Sequence, residues 1–228
     1  MEQKFNPNLI QIKTISLKTA KLIVLRYHYM KTFPAGAHIA FSINYPGYTG
    51  PMGVAVFGKS ISTDKKCKLF GIEPINIIEM QRLWISDKLG ANAESKTLSK
   101  IMAIFKNYLP NLKVVWTYAG GCKNDCGIVY QSSGFMYLGS EKCDDFYLTA
   151  NGEYKNLINV MRFGKAPKHL KDKNEIAKYL FGPGELIKSN RYFYFYPLSK
   201  ALRRKMAEKC KPFPKYSEHF RKDQKWVT

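Results

Sequence analysis

The sequence lacks any long apolar run. Among its 228 residues no stretch approaches the roughly 18 apolar residues that a membrane-spanning helix needs. The opening segment, MEQKFNPNLIQIK, also lacks the apolar core of a signal peptide. We therefore expect a cytoplasmic protein with no membrane partner. Hydrophobic residues still make up 45% of the chain, which is enough to bury the core of one compact domain.

Cysteine is scarce and irregularly spaced. The five cysteines are Cys67, Cys122, Cys126, Cys143 and Cys210. In a reducing compartment such residues are expected to be free thiols. Cys122, Cys126 and Cys143 fall within the loose spacing range of a zinc site, but no second close pair or nearby histidine completes the ligand set. The spacing favours packed thiols and leaves any metal unassigned.

Acidic residues are few: 17 stand against 37 lysines and arginines, so the net charge is +20. Residues 1–150 carry 18 basic and 10 acidic side chains, whereas residues 151–228 carry 19 and 7. A basic surface of this size attracts polyanions through counterion release, although a lysine-rich surface can also be plain solvation. Because the excess is concentrated in one segment, we favour a nucleic-acid partner.

The pattern of apolar residues predicts alternating helices and strands. Ser16 is a suitable N-cap for a helix through SLKTAKLIVLRYH, and the alternating segments GAHIAFSINY and MGVAVFG predict a hairpin. The segments IIEMQRLWI and KVVWTYA predict strands on either side of an amphipathic helix at 94–109, with a short helix near 126–133. A late aromatic strand is predicted at 191–197, while 59–76 reads as a loop and 150–190 as less regular. The order predicts an α/β (mixed α+β) fold, a central mixed sheet flanked by helices.

The start of the helix near 94 is a candidate anion site. A helix N-terminus offers unpaired N–H groups and partial positive charge, which suit a pyrophosphate. The small residues Gly90, Ala91, Ala93 and Ser95 let a ligand approach the backbone there. Ser95 and Arg82 are placed to contact phosphate oxygens. From spacing alone, Ser95 as a plain N-cap is the simpler interpretation, and Arg82 can pair with Glu79 instead.

The segment GIVYQSSGFMYLG resembles the closing motif of GNAT acyltransferases. In that motif a helix tyrosine, here Tyr130, often donates a proton to the leaving thiolate of coenzyme A. The ordinary pKa of a phenol, about 10, suits proton donation to a thiolate of similar basicity. From periodicity alone, a tyrosine packed on the sheet is the simpler interpretation.

Within that superfamily the sequence is similar to the Mom family of phage DNA-modification proteins. Four stretches carry the resemblance, in the family's order: YHYMKTFP, VAVFG, IEMQRLWISDKLGANAESKTLSKIM and WTYAGGCKNDCGIVYQSSGFMYLG. The resemblance implies an enzyme with a GNAT fold that alters the exocyclic N6 of adenine in double-stranded DNA and so shields phage or host DNA from restriction. A phage-encoded chain would act in the host cytoplasm.

The resemblance also implies the site residues. They are Gly90, Asn92, Arg82 and Ser95 for the phosphates of an acyl donor, and His28, Tyr130 and, more loosely, Tyr45 at the reaction centre. His28 is the best candidate base or metal ligand among the four histidines, although a packed core histidine fits equally well. The predicted nucleic-acid contacts are Arg191, Arg203, Arg204 and Lys205.

The chain departs from the family pattern after the strand KVVWTYA. The family usually has Tyr-Ala-Asp there, whereas this chain has Tyr118-Ala119-Gly120. Asp125, five residues later, is the candidate replacement for the missing carboxylate. The histidine that the family carries in the next loop is absent too.

We expect residues 1–150 to form a GNAT-like catalytic core and residues 151–228 to form a basic extension that completes the sheet and binds nucleic acid, within a single compact domain.

Acetyl-CoA or another acyl donor is the default of the fold, and an aminoacyl-tRNA also suits so basic a surface. The sequence leaves open whether iron takes part. Two alternatives are a GNAT N-acetyltransferase acting on a protein or small amine, although LGANAES lacks the usual Gly-x-Gly pattern, and a non-catalytic nucleic-acid binder of the same fold.

The charge distribution predicts salt-dependent DNA binding. If the basic extension faces duplex DNA, the logarithm of the affinity should fall with the logarithm of salt concentration, with a slope of about −0.9 per neutralised phosphate. Replacing Arg203, Arg204 and Lys205 with Gln should weaken binding equally on all sequences, because phosphate contacts carry no sequence information. A salt titration by fluorescence anisotropy measures both effects. A flat titration would leave the charge as solvation.

Overall fold

The protein is built on one eight-stranded mixed sheet. The computed structural model describes residues 5–60, 62–120, 125–157 and 169–215. The strands are β1 (Gln11–Thr14), β2 (Ala37–Asn44), β3 (Gly53–Gly58), β4 (Ile77–Ile85), β5 (Val114–Gly120), β6 (Met136–Thr149), β7 (Tyr154–Asn156) and β8 (Gly184–Pro197). Their order across the sheet is β1-β2-β3-β4-β5-β8-β6-β7.

Helices cover both faces of the sheet. Those of the described residues are α1 (Leu17–Tyr27), α2 (Thr63–Phe70), α3 (Ala93–Tyr108), α4 (Ile128–Ser132), α5 (Lys173–Phe181) and α6 (Lys200–Ala207). On one face, α3 and α4 pack on a core that includes Phe57 and Tyr194. On the other face, α2 and α6 pack around Trp116 and Phe195, and α1 packs on Val56. Within the described part of the chain, no helix has the length and apolar character required to cross a bilayer.

The sequence correctly predicts α1 and the hairpin that follows it. The Ser16 hydroxyl accepts a hydrogen bond from the backbone N–H of Thr19 at 3.1 Å, which caps the helix. Strands β2 and β3 pair antiparallel. The prediction of a loop over 59–76 is wrong, because it contains α2. There Cys67 and Phe70 are buried against the sheet, and this packing outweighs the high local charge.

Strands β4 and β5 are parallel but stay together only briefly. Pairing joins Ile77–Glu79 to Val114–Trp116 and goes no further, although both strands continue. Beyond that point the two strands diverge, and the Thr117 hydroxyl donates to the carbonyl of Met80 at 3.2 Å where they part. The helix α3 connects the two strands. The mixed sheet and the helices around it confirm the α/β fold that the sequence predicts.

The C-terminal third is more regular than the sequence suggests. Strand β6 runs for 14 residues and pairs with β8, also of 14 residues, while α5 and β7 occupy parts of 150–190. Strand β8 lies between β5 and β6, so it is central to the sheet. Tyr194 and Phe195 are both fully buried, on opposite faces. The strand predicted at 191–197 is therefore confirmed, and its aromatic residues contribute to the core.

The packing of α3 gives a stability prediction. The Phe105 ring is fully buried, with its centroid 4.9 Å from that of Phe57 and 5.8 Å from that of Phe41. Phe105→Ala should lower the free energy of unfolding by about 3–5 kcal/mol through lost burial and a cavity. Tyr108 lies on the same helix and is 76% exposed, so Tyr108→Ala should change the free energy of unfolding by less than about 0.5 kcal/mol. Urea unfolding measures both, and equal losses would contradict the assigned core.

Candidate active site

Two adjoining cavities open where β4 and β5 separate. The smaller, of about 330 Å³, lies on the α3 and α4 face and is lined by His28, Asp125 and Tyr130; we call it the Tyr130 cavity. The larger, of about 620 Å³, lies on the α2 face above Lys66; we call it the Lys66 cavity. Both are lined by Tyr29, by Met80–Arg82 of β4 and by Tyr118–Gly120 of β5. The splay therefore joins two chambers on opposite faces of the sheet.

Two aromatic rings pack against Tyr130 on α4. Its ring centroid lies 5.4 Å from that of Phe135 and 5.5 Å from that of Tyr194. Burial raises the pKa of Tyr130 to about 12, and a side-chain hydrogen bond with Thr117 only partly opposes this. The phenol is thus protonated near neutral pH. It can donate a proton into the Tyr130 cavity, which is the role that the family resemblance implies.

His28 ends α1 and is 5% exposed. Its Nδ1 accepts a hydrogen bond from the backbone N–H of Met30 at 3.1 Å, and its ring stacks on Tyr29 at 4.4 Å. Burial, with a smaller contribution from the Arg82 charge, lowers the pKa of His28 to about 3. A neutral ring with Nδ1 accepting carries its proton on Nε2. The geometry therefore favours His28 as a hydrogen-bond donor over a proton acceptor.

Arg82 anchors the segment that follows α1. Its Nε and Nη2 donate to the carbonyl and the hydroxyl of Thr32, each at 3.0 Å, and Nη1 donates to the carbonyl of Gln81 at 2.6 Å. The guanidinium lines both cavities while holding this segment against β4. Its contact with a donor phosphate stays a prediction, and its pairing with protein groups gives it a structural role as well.

The residues before α3 are arranged differently from the sequence prediction. The N-cap is Asn92, with φ 68°, and no side chain caps the helix. Ser95 as N-cap is therefore wrong: its hydroxyl lies inside the first turn and donates to the carbonyl of Asn92 at 3.2 Å. A Cβ at Gly90 would lie 2.8 Å from the Phe5 ring, so the glycine admits Phe5. The predicted residues Gly90, Asn92 and Ser95 line neither cavity, whereas Glu94, in the first turn of α3, lines the Tyr130 cavity.

The missing family carboxylate has a backbone cause. Gly120 has φ 88°, and a Cβ there would lie 2.1 Å from the carbonyl oxygen of Asn190. A side chain at this position is excluded by both the conformation and the space. Asp125 lines the same Tyr130 cavity, and its Oδ1 accepts from the Gly127 N–H at 3.0 Å. The chain thus carries a carboxylate at this cavity from a different position.

Tyr45 lies outside both cavities. Its hydroxyl accepts a hydrogen bond from the backbone N–H of Asn6 at 2.8 Å, and its ring packs on Phe5 at 5.2 Å. The structure gives it a role in fixing the N-terminal segment, and it is not brought together with His28 and Tyr130.

The cysteines of the described residues are free thiols. Burial raises the pKa of both Cys126 and Cys143, which suits packed thiols. Cys122 lies outside the described residues. Across the described ranges, no group of three or more His, Cys, Asp or Glu side chains is arranged to hold a metal.

The predicted DNA-contacting residues fall on two separate elements. Arg191, on β8, lines the Lys66 cavity and pairs with Asp145 and with Glu141, the latter at 3.2 Å. On α6, the Arg203 guanidinium donates to the Gly134 carbonyl at 2.9 Å. Also on α6, the Lys205 ammonium donates to the Phe70 carbonyl at 3.3 Å, and Arg204 is exposed. Their contacts with DNA stay a prediction.

The Lys66 cavity contains a buried charged pair that the sequence patterns do not predict. Lys66 and Glu79 are each 6% exposed, with Nζ 3.3 Å from Oε2. The Ser60 hydroxyl accepts from Lys66 and donates to Glu79 at 2.9 Å. Burial lowers the pKa of Lys66, while Glu79 opposes this. A charged residue inside an apolar strand, here Glu79, indicates a buried polar partner. Lys66 gives no such indication, because it lies in the segment that the sequence predicts as a loop.

Comparison with known proteins places these features in context. The sequence model of the Mom protein family matches residues 9–215. Methylcarbamoylase mom of Escherichia phage Mu is 24% identical over 214 residues, covering 90% of this chain and 84% of the phage protein. A Drosophila melanogaster polyamine N-acetyltransferase structure is 11% identical with a TM-score of 0.48, covering 82% of this chain and 99% of its own. An IAA acetyltransferase from Bacillus cereus is 12% identical with a TM-score of 0.45 and the same coverage.

The burial of neutral His28 gives a pH prediction. Its pKa is about 3 in the folded chain and about 6.5 unfolded, so falling pH protonates the unfolded state first. The free energy of unfolding should fall below pH 6.5, by roughly 2 kcal/mol at pH 5 from this group. His28→Gln should lack this component, whereas His38→Gln, at an exposed position on β2, should keep it. Urea unfolding at pH 5–8 compares the three proteins. Parallel curves for wild type and His28→Gln would contradict a buried neutral ring.

Proposed function

This chain belongs to the Mom protein family, and we propose that it is a transferase that modifies the exocyclic N6 amine of adenine in DNA. The observation that carries the proposal is the placement of Tyr130 and Asp125 in one cavity at the β4–β5 splay. A proton donor and a carboxylate face the same space there. Acyl-type transfer to an amine is accelerated by a group that accepts the amine proton and a group that protonates the leaving group.

We propose that the Tyr130 cavity takes the reactive end of an acyl donor, acetyl-CoA or a related thioester. The fit rests on the 16-residue helix α3, which starts beside the cavity without a side-chain cap and so offers first-turn N–H groups to an anion. When bound, a thioester supplies an electrophilic carbonyl and a thiolate leaving group. The name of the phage Mu relative, a methylcarbamoylase, supports the transfer of a small carbonyl-containing group. We assign no step to a metal.

The proposed chemistry divides between two residues. The adenine amine forms a bond to the carbonyl carbon, the bond from that carbon to sulfur breaks, and the amine loses a proton. Asp125 accepts this proton, and Tyr130 gives its own proton to the departing thiolate. Burial keeps Tyr130 in its protonated form, so its O–H is available to the departing sulfur. Exchange with water then restores both groups.

The substrate side of the proposal rests on charge. The net charge of +20 favours a polyanion over a small neutral amine. Cations also line the Lys66 cavity, which adjoins the proposed site. There Lys65, Lys66, Arg82 and Arg191 outnumber Glu79 and Glu141. DNA is therefore the favoured substrate, and an N-acetyltransferase of small amines is the weaker candidate.

Nucleoside mass spectrometry of DNA from expressing cells tests the proposal. Wild type should yield a modified deoxyadenosine of raised mass. Tyr130→Phe removes only the hydroxyl, so it should keep the fold and lower the modified fraction, with turnover reduced by ~10²–10⁴-fold. Tyr108→Phe, at an exposed tyrosine on α3, is the matched control and should behave as wild type. Unmodified DNA from wild-type cells would refute the function, and full activity of Tyr130→Phe would refute the acid.

A further inference from the structure

The Lys66 cavity has an aromatic floor. Trp116, Tyr118 and Phe193 lie together, with ring centroids 5.7–6.1 Å apart. The ring of Tyr29 also lines the cavity, and that residue is 45% exposed. Trp116 is 5% exposed and Tyr118 stands at 72–73° to the other two rings, so a flat ring such as a nucleobase can stack on the Tyr118 ring and not on all three.

Charged groups sit directly against this floor. The Lys66 ammonium lies 4.7 Å from the Trp116 ring centroid and 5.0 Å from that of Tyr118, beside the Glu79 carboxylate. A donor and an acceptor thus stand side by side, which is the pairing that the edge of a nucleobase presents. Lys65, the neighbour of Lys66 on α2, lines the same cavity and is exposed to solvent. An exposed ammonium at this position suits a phosphate.

The position of the Lys66 cavity also suits a nucleotide. It adjoins the Tyr130 cavity through the splay, so a ring amine held on one side of the sheet lies next to the proposed donor site on the other. A volume of about 620 Å³ is within the range of small-ligand sites, about 300–1,000 Å³, and accommodates a nucleotide but not a duplex. A paired base would have to leave the stack to enter it.

We propose that the Lys66 cavity receives a single nucleotide extruded from duplex DNA. The base packs against the Tyr118 ring and the exposed Tyr29 ring, its polar edge meets Lys66 and Glu79, and its 5′ or 3′ phosphate contacts Lys65. Glu79 positions the amine by accepting one of its N–H groups where β4 and β5 part. This inference rests on the proposed function and adds to it the place and the state of the substrate base.

Binding measurements without any donor test the inference. Fluorescence anisotropy compares a duplex containing one adenine opposite an abasic site with the same duplex fully paired. An unpaired base is easier to extrude, so the wild type should bind the abasic duplex about tenfold to a hundredfold more tightly. Equal affinity for the two duplexes would overturn the proposal.

Two variant pairs connect the preference to this cavity. Tyr118→Leu should bring the affinity ratio of the two duplexes close to one, while Tyr118→Phe, which keeps the ring, should retain it. Lys65→Gln should weaken binding of the abasic duplex about fivefold to tenfold. Lys68→Gln, at an exposed lysine of the same helix outside the cavity, should leave that binding unchanged. Identical effects of the two lysine variants, or an unchanged ratio in a folded Tyr118→Leu, would overturn the proposal.

The two proposals fail in different ways. If cellular DNA is unmodified but the abasic preference and its dependence on Tyr118 are present, the proposed transfer is wrong and the extruded-nucleotide site stands. If adenine is modified but the preference is absent or insensitive to Tyr118, the base is reached elsewhere and the site assigned here is wrong.

Discussion

The early end of pairing between β4 and β5 is the constraint on which the rest of this molecule depends. Two parallel strands that part after Glu79 and Trp116 must leave backbone groups without strand partners. The Thr117 hydroxyl compensates one of them by donating to the Met80 carbonyl. The remaining gap passes through the sheet and joins the two cavities. Without the splay, the α3 face and the α2 face would be closed off from each other by a continuous ladder.

Much of this architecture could be predicted from the sequence because it depends on local patterns. The strands that flank α3 are continuous apolar runs, and Ser16 marks the start of α1 by ordinary capping. What could not be predicted depends on contacts between distant segments. α2 forms because Phe70 packs against Trp116 and Phe195, which lie far along the chain. The same limit applies to the site. A local motif predicts Tyr130, whereas the burial of Lys66 depends on its pairing with Glu79, which lies on a different element.

Burying the Lys66–Glu79 pair costs desolvation free energy. Removing two charges from water is seldom repaid by their attraction alone, and apolar residues of similar volume would stabilise the fold as well or better. Here the pair lies at the floor of an open cavity, with the Ser60 hydroxyl between the charges and two aromatic rings beside the ammonium. Such an arrangement fixes polar groups in direction before a ligand arrives. We therefore interpret the pair as a device for orientation and not for stability.

The exchange of a carboxylate at Gly120 for one at Asp125 follows from the packing of β8. Strand β8 pairs along the whole of β5, and its Asn190 carbonyl approaches Gly120 so closely that no Cβ fits. The close approach excludes an acidic residue at the end of β5. An acidic residue reaches the cavity just before α4 instead. There Gly127, the N-cap with φ 83°, donates its N–H to the Asp125 carboxylate. The position of an acidic group along the sequence can therefore shift while the cavity that it faces stays the same, because the cavity is defined by the splay and not by any single strand end.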